Sequence, residues 1–115
     1  MTRIDVEVLR LAHLAALTIE RGSHDTYRRS RVTAAHALMA LGRTWDGTTE
    51  RAQARADLHV AGLAEHIAYA SYLQAAHDRH EAYVTWQDAS VEHYEQSHSR
   101  QRQTLPRVTA LRLTA

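Results

Sequence analysis

The sequence predicts an all-α chain, a long helical hairpin that pairs with a second hairpin into an antiparallel four-helix bundle. Three observations carry this. The 115 residues include one Pro and 4 Gly, too few turn formers for an all-β chain. Apolar residues recur at spacings of three and four on both sides of one central interruption. The longest periodic run, from Glu50 to about Ser97, contains no Pro and Gly62 as its single Gly. A helix of roughly 45 residues runs about 65–70 Å and needs another long helix beside it, from the first half or from a second chain.

Thr2 to Arg21 reads as the first helix. Ile4, Val8, Leu11 and Ala15 share one stripe, with Leu9, Ala12, Ala16 and Ile19 beside it. Asp5 and Glu7 sit near its start, where carboxylates suit the helix dipole. Gly22-Ser23-His24-Asp25 is either a true break or a tolerated Gly inside one longer helix, because a helical Gly costs only about 1 kcal/mol. Tyr27 to Leu41 continues the pattern through Tyr27, Arg31, Ala34, Leu38 and Leu41.

Gly42 offers a helix stop, and Trp45-Asp46-Gly47-Thr48-Thr49 follows. Gly47 is suited to a positive φ in a turn. Thr48 or Thr49 caps the next helix, and Glu50 falls in its acidic first turn. The second helix carries a stripe of Ala52, Ala56, Val60, Leu63, Ile67, Ala70, Leu73, Ala76, His80 and Val84. Leu38, Leu41, Val60, Leu63, Ile67 and Leu73 are the expected dimer stripe. The division is a hairpin domain over 1–97, turning at about 42–49, and a flexible basic tail over 98–115 with Pro106 and no acidic residue.

Composition narrows the function. All 14 basic residues are Arg, and with 13 acidic residues the net charge is +1. No strong field points to nucleic acid or a membrane surface. No apolar run approaches the length of a membrane span, and the charged start does not read as a signal peptide. The absence of Cys removes disulfides, thiolate chemistry and cysteine zinc sites. Twenty Ala and no Phe give a thin core for a lone chain.

Nine His raise the question of a metal. His77, His80 and Glu81, at i, i+3 and i+4, are weak candidate ligands for zinc or nickel. Glu-x-x-His occurs once, at Glu95-Gln96-Ser97-His98, where the di-iron pattern of helical bundles needs two, so that pattern is incomplete. Nucleophile elbows, phosphate loops and dinucleotide fingerprints are missing too. The chain therefore reads as a non-enzyme without a cofactor.

Two helices of similar length around Trp45-Asp46-Gly47, approached by Ala37-Leu38-Met39-Ala40-Leu41 and opened by Ile4-Asp5-Val6-Glu7-Val8-Leu9, resemble the WXG100 (ESAT-6-like) family of type VII secretion over residues 4–95. The resemblance implies an exported factor, or the dimerisation and escort partner of a larger helical substrate. Its partners would be a copy of itself or a related hairpin, and the secretion machinery. It would be cytoplasmic first, then secreted or on the cell surface. Family members carry a Tyr-x-x-x-Asp/Glu signal after the second helix. Here Tyr83 meets its acid, Asp88, one position late, and Tyr94 has His98 at the fourth position. The signal is then either degenerate or carried by a partner. A second family pattern is matched by His77, Glu81, Val84 and Asp88, with Asp88 replacing a final His. With Tyr83 these form a candidate recognition face; the alternative is an ordinary charged helix face.

Two other readings compete. One is a small nucleic-acid-associated or regulatory protein using Arg28, Arg29, Arg31 and the tail arginines. The other is a helical adaptor from a phage, plasmid or toxin–antitoxin locus.

Overall fold

A computed structural model describes the backbone of residues 2–114 and the side chains of residues 2–100. The chain is all-helical: α1 spans Arg3–Gly42, and α2 spans Thr49–Thr114. No strand occurs among the described residues. Most of the predicted tail falls beyond Arg100, and its side chains lie outside the described residues.

The open question at Gly22 resolves as a continuous helix. Thr26 donates its hydroxyl to the Gly22 carbonyl at 3.1 Å. The cost of one helical Gly is small against the hydrogen bonds that would be lost by breaking α1. The start of α1 is a capping box. Thr2 Oγ1 accepts from the Asp5 amide at 3.2 Å, and Asp5 Oδ2 accepts from the Thr2 amide at 3.0 Å. Those hydrogen bonds from Thr2 hold the Asp5 carboxyl below its ordinary pKa.

Packing follows a strict seven-residue repeat. The buried side chains are Ala54, Ala61, Ala68, Ala75 and Ala89, and Ala82 fills the same column half-buried. Beside them on α2 runs a half-buried column of Arg51, Leu58, Glu65, Tyr72, Arg79, Trp86 and His93. Helix α1 repeats the scheme. Ala16, Ser23, Ser30 and Ala37 form a small column, and Val6, His13, Glu20, Tyr27, Ala34 and Leu41 a mixed one, all half-buried. Each helix therefore presents one column of small residues and one of larger residues, the pattern of a heptad seam.

The chain forms two compact units. In the unit Ala15–Arg79, the helices run antiparallel on either side of the turn. Tyr27 stacks on Tyr72 with centroids 6.2 Å apart and planes 9° from parallel. Tyr69 tilts against Tyr27 at 5.1 Å, and His24 against Tyr72 at 5.0 Å. Seven residues before Tyr27 and seven after Tyr72, Arg79 Nε donates to Glu20 Oε2 at 2.5 Å. In the unit of Met1–Leu14 with His80–Ala115, His13 stacks on Trp86 at 5.5 Å and tilts against Tyr83 at 5.3 Å.

The large apolar residues expected as a stripe on α2 lie outside this seam and do not face α1. Val60 and Ile67 are each 65% exposed, and Leu63 and Leu73 are about half exposed. The residues that face α1 are alanines, because a small side chain lets two helix backbones approach. Leu41, assigned to the dimer stripe, belongs instead to the seam column of α1.

An Ala68→Leu substitution forces three extra carbon atoms into a seam without room. It should destabilise the chain by about 1–3 kcal/mol in denaturant melts followed by circular dichroism. Ala70→Leu, at an exposed position of the same helix, should shift stability by less than about 0.5 kcal/mol.

Candidate interaction surface

The turn between the helices is built from four local devices. Gly47 takes φ 79°, in the left-handed region that favours glycine. Thr48 caps α2: its Oγ1 accepts from the Arg51 amide at 3.1 Å. Glu50 supplies the acidic first turn. Arg51 then reaches back across the turn. Its Nη1 donates to the carbonyls of Leu41, at 3.3 Å, and Thr44, at 3.2 Å. The Leu41 carbonyl sits in the last turn of α1, at the negative end of its dipole, and accepts from the Thr44 amide and hydroxyl as well; the Thr44 carbonyl lies just beyond the helix, in the turn. The Arg51 Nε is buried and lies 2.9 Å from Asp46 Oδ1 as an ion pair, without a well-aligned hydrogen bond.

Trp45, the largest side chain of the turn, does not cover the end of the hairpin. It is 82% exposed. Arg51, a residue the sequence reading passed over, closes the turn instead. Its role depends on where α1 ends, which the periodicity of α2 does not show.

The remaining candidates are spread along α2. His77 lies in the Ala15–Arg79 unit, whereas Glu81, Tyr83, Val84 and Asp88 lie in the other. His77 and Glu81 each interact within the chain. Tyr83 is 39% exposed and meets Trp86 edge-on at 6.1 Å, so much of its ring serves internal packing. Val84 and Asp88 are exposed. The weak metal candidates His77, His80 and Glu81 do not come together: among the described residues no group of three His, Cys, Asp or Glu could hold a metal ion. No helix among the described residues is long and apolar enough to cross a membrane.

What the geometry does assemble is an uncovered apolar surface. Val60, Leu63, Ile67 and Leu73 lie open on α2, with Leu38 60% exposed on α1. Ile4, Val8 and Leu11 are likewise open near the start of α1. Isolated exposed apolar side chains are ordinary, but a helical run of them marks a contact surface. The buried alanines each contribute about 0.8 kcal/mol per methyl, against an ordering cost of about 1–2 kcal/mol per residue. The alanines of the seam therefore act chiefly by setting which faces meet.

No family model, no curated protein and no solved structure matches this chain.

Arg51→Met should cost about 1–2 kcal/mol of stability in denaturant melts, because it removes the guanidinium donor from the Thr44 carbonyl and a further donor from that of Leu41, and leaves Asp46 without its ion pair. Arg55→Met, at an exposed position one turn on, should leave the midpoint unchanged.

Proposed function

We propose that this protein is a binding module of the type VII secretion class, either exported itself or escorting a larger helical substrate. The observation that supports the reading most is the placement of large apolar side chains. They lie outside the seam, on Val60, Leu63, Ile67 and Leu73, and at the turn on Trp45. A chain that spends alanines on its internal contact and keeps its larger apolar residues free is suited to forming a four-helix bundle with a second hairpin. The resemblance of Trp45-Asp46-Gly47 and its flanking helices to the WXG100 family supplies the secretion context. The second hairpin is a copy of this chain or a related one, and the export signal resides on whichever chain carries an intact Tyr-x-x-x-Asp/Glu.

The test is export. The protein is produced in a host with an active type VII system, together with its neighbouring helical-hairpin chain, and the medium is compared with that of a secretion-deficient host. Appearance in the medium only with the active system is the expected result. Equal retention in both hosts contradicts the reading. Light scattering of the purified protein then separates a homodimer from a chain that needs the neighbour.

A further inference from the structure

The larger column of α2 contains three charged residues in the Ala15–Arg79 unit, and two of them have defined partners. Arg79 pairs with Glu20, and Arg51 holds the end of α1. Glu65 is half-buried in the same column and makes no hydrogen bond or ion pair among the described residues. By the repeat that brings Tyr27 onto Tyr72, the α1 residue at its level is Ala34, which offers no charge. Glu65 lies instead in a surface cavity with Tyr27, Gly62, His66 and Tyr69. The Tyr27 and Tyr69 rings form two adjoining walls in mutual contact, centroids 5.1 Å apart and inclined at 49°; Tyr72 stacks on Tyr27, and the exposed Tyr69 ring is the more open of the two. Gly62 opens one side, since a Cβ built there would meet nothing within 4 Å. Arg31 rests over the Tyr27 ring, 5.7 Å from its centroid, but does not line the cavity or pair with Glu65.

A carboxylate beside two aromatic walls matches one ligand chemistry well. A guanidinium donates parallel hydrogen bonds to a carboxylate and lays its planar face on an aromatic ring. We infer that the Glu65–Tyr27–Tyr69 notch receives an arginine side chain presented by a helix of the partner protein. The inference rests on the proposed function for the existence of a partner, and adds which of its residues is read. Charge complementarity carries the choice of occupant, because a half-buried carboxylate without a counter-charge favours a cation that arrives with its own hydrogen-bond donors.

The test uses the chain alone, so its outcome is independent of whether export is observed. Tyrosine-ring NMR signals are followed during titration with Nα-acetyl-arginine amide, its neutral citrulline counterpart and free arginine. The expected result is a saturable shift of Tyr27 and Tyr69 with the arginine amide, weakened about tenfold or more with citrulline and in Glu65→Gln. Gly62→Leu, which fills the open side of the notch, should abolish the shift while keeping the chain folded, with a melting midpoint no lower than that of the parent because a helical Gly is replaced. Equal shifts with citrulline, an undiminished response in Glu65→Gln, or no saturable shift overturns the inference. Markedly tighter binding of free arginine than of the amide also overturns it, because the ligand would then be a small molecule and not a side chain.

Discussion

The contact between small-residue columns is the constraint from which the other features follow. Within the Ala15–Arg79 unit, alanines at every seventh position of α2, from Ala54 to Ala75, oppose a helix whose own small column is Ala16, Ser23, Ser30 and Ala37. Such a seam gains little from any single residue. Its effect is geometric: close backbone approach is possible only where small faces small. The flanking columns then meet in a fixed order. Within one unit Glu20 meets Arg79 and Tyr27 meets Tyr72; within the other His13 meets Trp86. A slip of one heptad would separate the Glu20–Arg79 pair and leave two partly buried charges unmatched, a cost that outweighs what an exposed pair contributes.

The turn obeys the same economy of small devices. A left-handed glycine reverses the chain, a threonine caps α2, and a guanidinium two residues into α2 donates to one carbonyl in the last turn of α1 and one in the turn itself. With the reversal closed in this way, Trp45 is not required for internal cover. Its exposure joins that of Val60, Leu63, Ile67 and Leu73, and the largest apolar groups of this part of the chain remain available to a second molecule. Structure and proposed function are linked at this point: the proposed partner would be met by large apolar side chains that the internal contact does not use.

Much of the helical architecture was legible in the residues. Scarce Pro and Gly, periodic apolar positions and the Gly47-Thr48-Thr49-Glu50 punctuation located the two helices and the turn between them. The face that meets α1 was not legible, for a physical reason. Hydrophobic periodicity weighs side-chain size, so it followed Val60, Leu63 and Ile67, which lie outside the contact with α1. The true seam alternates alanine with Arg51, Glu65 and Arg79, and reads as polar. A usable signal was present nonetheless, in the exact seven-residue recurrence of Ala54, Ala61, Ala68, Ala75, Ala82 and Ala89. Arg51 and Glu65 were not legible at all, since each takes its meaning from what the other helix places, or fails to place, opposite it.

The most direct measurement of the central claim is disulfide trapping of the register in this cysteine-free chain. Ser23 and Ala75 belong to the two small columns at the same level, between the Glu20–Arg79 and Tyr27–Tyr72 layers. A Ser23→Cys, Ala75→Cys variant should oxidise rapidly and within the chain, while Ser23→Cys with Ala68→Cys, one heptad displaced, should stay reduced. Comparable oxidation of both variants, or oxidation of the displaced pair alone, would contradict a seam fixed by small residues.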